Sequence, residues 1–170
     1  MFKLKHTTPL SLTARRKSKK YKVKPPLLSA QEKISRYMQG NKARDTKPEL
    51  LLRNALWRNG LRGYRVHWRK APGKPDICYP SRQLAIFVHG CFWHRCPHCQ
   101  PAFPKSNLLF WEEKFANNQM RDERYKAMYR EAGWQRIVIW ECQLRQDLSS
   151  CLSLIRELHR GVPHSWEVAA

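Results

Sequence analysis

Acidic residues are scarce in this chain. Its 170 residues hold 13 Asp and Glu against 33 Lys and Arg, a formal net charge of +20 at pH 7. A field of that strength calls for a polyanionic partner, most simply nucleic acid. The bland alternative is a solubilised basic protein of the ribosomal kind. Long apolar runs are missing too: none approaches the ~20 residues that span a bilayer, so no membrane role is expected. Lys3 and Lys5 are followed by Pro9, Thr13 and Arg15, which interrupt any apolar leader, and no secretory signal is expected. Six cysteines without such a signal belong to a reducing, cytoplasmic setting. There, Cys/His clustering favours metal over disulfides. No internal repeat is present.

What the chain does have is a dense segment, Phe87 to Cys99, with Cys91, Cys96, Cys99, His89, His94, His98, Phe92 and Trp93. Before it, residues 1–30 form a basic arm with Arg15, Arg16, Lys17, Lys19, Lys20, Lys22 and Lys24 and no acid, expected to be flexible and either to track phosphates or to serve as a solvated tail. Residues 31–42 suggest a short helix with Ile34, Tyr37 and Met38 on one face. Thr46 and Glu49 then spell a capping box with Pro48 in the first turn, Leu51, Leu52, Ala55 and Leu56 supply a buried stripe, and Asn59-Gly60 ends that helix.

Residues 64–68 and 76–79 read as strands, and 84–88 as a central strand apolar on both faces. A long helix is expected over 110–131, with Trp111, Phe115, Asn118, Asp122, Tyr125 and Tyr129 sharing one face. Residues 136–140 make another strand, and 144–159 a terminal helix. Strand, long helix and strand form a βαβ unit with parallel strands. The fold class is therefore α/β: a mixed sheet flanked by helices, with one domain over 31–160 and a tail over 161–170.

Three thiolates in nine residues want a fourth ligand to close a tetrahedral structural zinc site. Cys142 lies just past the second parallel strand, beside the end of the first, and completes the set Cys91, Cys96, Cys99 and Cys142. His98 in place of Cys99 is the main alternative. A redox Cys96-Pro97-His98-Cys99 pair is disfavoured because Pro101 and Pro104 follow where a helix should begin. Cys78 and Cys151 read as ordinary buried thiols.

Asp76 opens a strand after a Gly/Pro loop and can hold Mg²⁺, although such an aspartate is on its own more often a turn residue. His94 and His89 have the pKa for proton transfer, and Asp122 is a candidate orienting partner; each histidine also reads as a satisfied interior side chain or a zinc ligand. Glu49 is either a cap or a site carboxylate. Phe92, Trp93 and Trp111 are either wedges between base pairs or packing around the zinc.

These residues together resemble a known family. Thr46-Lys47-Pro48-Glu49-Leu50, Pro72-Gly73-Lys74-Pro75-Asp76, Val88-His89-Gly90-Cys91-Phe92-Trp93-His94, Phe110-Trp111, Asn118, Arg121-Asp122 and Trp140-Glu141-Cys142 are similar to the very short patch repair (Vsr) endonucleases, in order, over about 31–146. The resemblance implies a restriction-endonuclease-like fold with a structural zinc. It implies a Mg²⁺-dependent endonuclease that nicks 5′ of the thymine in T·G mismatches, which arise from deaminated 5-methylcytosine. By the same resemblance, Asp76 holds Mg²⁺, His94 is the catalytic histidine, Asp122 orients it, and His89 and Glu49 complete the site. Phe92, Trp93 and Trp111 intercalate, Asn118 contacts DNA, and Cys91 and Cys142 bind zinc. Val88 stands where the best-known member has threonine, leaving only its backbone carbonyl for Mg²⁺; Cys96 and Cys99 replace a mixed His/Cys pattern.

The expected partner is mismatched double-stranded DNA, met as a monomer at the nucleoid, with mismatch-repair proteins as candidate partners. Two rivals stay open: a site-specific restriction-type nuclease of the same fold, and a zinc-stabilised DNA-binding module that does not cut.

Overall fold

The computed structural model describes Ser29, Glu32 and residues 42–161. The expected arm over 1–30, apart from Ser29, and the helix expected over 31–42, apart from Glu32, lie outside the described residues, as does the tail beyond 161. Ser29 and Glu32 exchange reciprocal hydrogen bonds at 2.8 and 3.2 Å, the pairing of a capping box.

Three strands form one sheet in the order β1-β2-β3: β1 is Ile77–Tyr79, β2 is Leu84–His89 and β3 is Gln135–Trp140. β1 runs antiparallel to β2 through a tight turn at Pro80–Arg82 and Gln83, and β2 runs parallel to β3 with His89 opposite Trp140. The expected βαβ unit is thus present. Its helix, α2, spans Leu108–Glu131, two residues longer at the front than expected. β2 is the central strand, buried almost throughout.

The period of two in the strands sorts side chains to two cores. Ile77, Tyr79, Leu84, Ile86, Ile137 and Ile139 face one side, where α1 (Lys47–Arg58), α3 (Glu141–Gln146) and α4 (Leu148–His159) bring Leu52, Leu56, Leu144, Cys151, Leu152, Ile155 and Leu158. Each such fully buried aliphatic side chain contributes about 1.5–3 kcal/mol. Cys78, Ala85 and Phe87 face the other side, covered by Tyr129 of α2 with Trp68, Tyr125, Trp134 and Val138. On α2, Phe115, Asn118 and Tyr129 are buried and Trp111, Asp122 and Tyr125 half-buried, which is the expected face.

Three expectations are corrected. Residues 64–68 do not form a strand: a single antiparallel bridge joins Arg65 to Cys78, and His67 turns left-handed at φ 47°. The helix expected over 144–159 is two helices. Asp147 breaks it by capping α4 through Ser150 N–H at 3.0 Å, and side-chain competition of this kind favours a new start over continuation. The capping box at α1 also takes another form. Thr46 makes no side-chain cap; its hydroxyl donates to Glu49 Oε1 at 2.7 Å, and Glu49 is buried.

Among the described residues, no helix is long and apolar enough to cross a membrane.

Candidate active site and thiol cluster

Asp76 sits at the mouth of β1. The backbone N–H of Val88, on neighbouring β2, donates to its Oδ2 at 2.7 Å. The loop before Asp76 is pressed in place by α2: Tyr129 donates to the Pro72 carbonyl at 2.7 Å, and a Cβ on Gly73 (φ 68°) would lie 2.7 Å from the Tyr125 ring. Burial pushes the Asp76 carboxyl up to about 6. The Val88 hydrogen bond opposes that rise and the nearby Glu49 charge adds to it. Glu49 Oε2 accepts from Asp45 N–H at 2.9 Å, with Arg53 at 3.7 Å and His67 at 3.6 Å. A desolvated carboxylate pair of this kind suits a hard divalent cation.

One residue beyond Val88, β2 delivers His89. Its ring stacks on that of His94 with centroids 3.8 Å apart. Asp122 reaches across from α2: its Oδ2 lies 2.5 Å from His94 Nδ1 and 4.0 Å from His89 Nδ1. His94 therefore donates through Nδ1, which leaves Nε2 free to take or give a proton. Burial, reinforced by His94, pushes His89 down to about 3, so it is a neutral partner in the stack. Burial alone would raise Asp122. The hydrogen bond and charge of His94, with His89 and Arg136, outweigh it and hold the carboxyl below the ordinary range.

The cysteines converge as the strand logic requires. The sulfurs of Cys91, Cys96, Cys99 and Cys142 all lie within 4.8 Å of one another. Cys91 follows β2 and Cys142 follows β3; Cys142 N–H donates to Cys91 Sγ at 3.3 Å, and the Cys96 and Cys142 sulfurs are 3.6 Å apart. Burial pushes Cys91 and Cys142 up. Burial would raise Cys96 too, but the backbone N–H groups of Cys99 and His98 outweigh it and favour its thiolate. Four sulfurs with one thiolate already supported suit a closed, thiophilic cation site. His98 is outside the group, exposed, with its ring 6.4 Å from that of Trp140. Cys78 and Cys151 are buried and apart from it.

Phe92, Trp93 and Trp111, all half-buried, pack on one another, and Phe92 and Trp111 also pack on the buried Phe115, with centroids 5.2–6.0 Å apart. Asn118 is 6 % exposed. Its amide donates to the Trp93 carbonyl at 2.8 Å and accepts from Arg121 at 3.0 Å, so it is engaged within the protein rather than free for DNA in this conformation. It secures the turn bearing Trp93 and aims Arg121.

Asp76, Glu49, Val88, His89, His94 and Asp122 all open into one groove of about 950 Å³. Lys42, Arg44, Lys47, Lys74, Lys114 and Arg121 also line it, giving a carboxylate–histidine floor beneath cationic walls. Such walls suit a phosphodiester backbone.

Comparisons with known proteins identify the family. Residues 28–100 match the family described as DNA mismatch endonuclease Vsr. Type II nicking enzyme V.XorIIP of Xanthomonas oryzae is 40% identical over 71% of this chain and 88% of its own length. The chain belongs to the Vsr family. DNA mismatch endonuclease Vsr of Escherichia coli is 38% identical over 65% of this chain and 70% of its own length, and type II nicking enzyme V.NaeI of Lentzea aerocolonigenes 36% identical over 78% and 82%. This protein is accordingly a Vsr-type DNA endonuclease.

The span matched by the Vsr family holds Glu49, Asp76, His89, His94, Cys91, Cys96 and Cys99. Asp122 and Cys142 lie beyond it, brought in by α2 and by the end of β3. Sequence reasoning missed His67, whose ring stands between Glu49 and Asp76. Read as an inner residue of a regular strand, it gave no signal except its place nine residues before Asp76.

Proposed function

We propose that this Vsr-type endonuclease nicks duplex DNA on the 5′ side of the thymine in a T·G mismatch, with Mg²⁺ as its catalytic cofactor, on a restriction-endonuclease-like scaffold stapled by a structural Zn²⁺. The observation that carries the reading is a single juxtaposition. Val88 N–H holds Asp76, and the next residue, His89, stacks on a His94 that is already tied to Asp122.

Asp76 would hold the divalent cation, with the Val88 backbone carbonyl available as a second oxygen and Glu49 close by. When bound, the cation polarises the scissile phosphate and offsets charge as it builds there. The chain's own groups do the rest. Asp122 fixes the His94 tautomer, so that Nε2 moves the proton during attack of water on phosphorus. His89, buried and neutral, supports the His94 ring from its face. Cationic groups of the groove hold the backbone, and Phe92, Trp93 and Trp111 enter the stack beside the mismatch. The products are a 5′-phosphate and a 3′-hydroxyl. The cluster of Cys91, Cys96, Cys99 and Cys142 holds Zn²⁺ and takes no part in the chemistry.

The test is nicking of T·G and T·A duplexes over a panel of flanking sequences, with Mg²⁺ or with EDTA. Selective, Mg²⁺-dependent nicking of T·G is expected. Equal nicking of matched duplex would favour the restriction-type alternative, and binding without nicking would favour the non-catalytic module. The relatives named type II nicking enzymes favour a nick over a double-strand break, which the same assay reads.

A further inference from the structure

We propose that His67 is a positioning residue that ties the Glu49 carboxylate to that of Asp76 and so sets the affinity of the cation site. The inference rests on the reading of Asp76 as the residue that holds the divalent cation.

Three carboxylates surround this one ring. His67 Nδ1 is 3.7 Å from Asp76 Oδ1, and Nε2 is 3.6 Å from Glu49 Oε2 and 3.7 Å from Asp45 Oδ1. The His67 side chain is 15% exposed, and its buried Nε2 has no hydrogen-bond partner. Buried ring nitrogens are ordinarily satisfied, and these separations exceed a hydrogen bond. The backbone is left-handed at φ 47°, which strains a residue other than glycine. A histidine kept only for packing would carry neither cost. That turn ends the run of extended chain after Arg65 and swings the ring inward.

The consequence falls on Asp76. Its Oδ2 is fixed by Val88 N–H at 2.7 Å, whereas its Oδ1 faces only His67 among the hydrogen bonds and ion pairs of the described residues. The ring thus limits rotation of the carboxylate from the side that Val88 does not reach. Its other edge meets Glu49, whose Oε1 is held by Thr46. Two acids from separate elements, α1 and the start of β1, are aligned through one imidazole. Partners that orient a ligand in this way typically set metal affinity by 10–100-fold.

The experiment uses the full chain and the variants His67→Ala, His67→Asn and Asp76→Ala. Binding of Mn²⁺ is measured without DNA by electron paramagnetic resonance of the free ion; Mn²⁺ prefers carboxylate and carbonyl oxygens to a thiolate cluster. The Mg²⁺ dependence of nicking is measured alongside. In His67→Ala, the Mn²⁺ dissociation constant and the Mg²⁺ level for half-maximal nicking both rise about tenfold or more. Duplex binding in EDTA stays unchanged. Asn accepts the left-handed backbone and keeps an N–H near the Nδ1 position that faces Asp76, but has nothing at the Nε2 position that faces Glu49, so His67→Asn recovers part of the loss. Wild-type Mn²⁺ affinity in His67→Ala overturns the proposal, as does an equal loss in the Asn variant. Full Mn²⁺ binding by Asp76→Ala overturns the underlying reading of Asp76 and this proposal with it, a different signature from a failure at His67 alone.

Discussion

Replacing Asp76 by Asn should make the metal-free protein more stable while it abolishes nicking. In the folded chain burial raises the Asp76 carboxyl to about 6, with Glu49 adding to the rise. A carboxyl raised by folding binds its proton more tightly in the native state, so its ionisation opposes folding. The penalty is absent below the unfolded pKa of about 4, grows between about 4 and 6, and is complete above about 7. At about 1.4 kcal/mol per tenfold change in proton affinity, a rise of about two decades is worth about 3 kcal/mol at pH 8 and roughly half that at pH 5. Asn keeps an oxygen for Val88 N–H, and the charge-assisted part of that bond is already contained in the value of about 6. The net expectation in EDTA at pH 8 is a gain of about 3 kcal/mol, or about 8 °C in Tm. Urea and thermal unfolding of both proteins at pH 8 and pH 5 measure it. Added Mg²⁺ should erase the difference by stabilising only the wild type. An Asn variant no more stable than wild type at pH 8 in EDTA, or an advantage that grows toward pH 5, would refute the reasoning.

Other perturbations separate the remaining roles. Asp122→Asn should lower the nicking rate by about 10²–10⁴-fold, because His94 loses its tautomer control, with duplex binding by gel shift unchanged; a loss under tenfold would remove Asp122 from the mechanism. Cys142→Ser should lose zinc by elemental analysis and lower Tm, whereas His98→Ala should keep one zinc per chain, since His98 stands outside the sulfur group. If His98→Ala loses the metal, the four-cysteine set is wrong. Gly73→Ala should cost about 1–3 kcal/mol in urea unfolding, from its left-handed φ and the Tyr125 ring against the new Cβ. Tyr125→Ala in that background should recover part of the loss, and strict additivity would deny the contact.

Much of the architecture was legible because strong local signals agreed with one another. The apolar stretches at 84–88 and 136–140 flank a helix long enough to bring them back in parallel, and that alone places Cys142 beside Cys91. Asn118 and Asp122 on the packed face of α2 marked polar work beneath it, though not that the Asn118 amide would be spent inside the protein. What failed to read was conformation chosen by tertiary contacts. The 64–68 segment alternates like a strand, yet His67 adopts a left-handed turn that sets its ring between Glu49 and Asp76. The Thr46/Glu49 pattern is a sound cap signal, but the carboxylate answers to Arg53 and His67 as much as to its own helix. Asp147 looked like one more polar residue of a helix and is a cap that starts another.

The meeting of Cys91 with Cys142 has a topological consequence. They are 51 residues apart, and a cation shared by their sulfurs turns everything between them into a closed circuit. Closing a circuit of that length removes conformational entropy from the denatured chain worth on the order of 4 kcal/mol. His94 and Asp122 lie within it; Glu49, His67 and Asp76 lie outside. On the proposed reading, opening the circuit would return that entropy to the denatured chain and lower the stability of the whole fold, not of the sulfur cluster alone. Asp76 would keep its own tie to Val88 N–H, and Glu49 its tie to Thr46, because neither contact passes through the circuit's closing point.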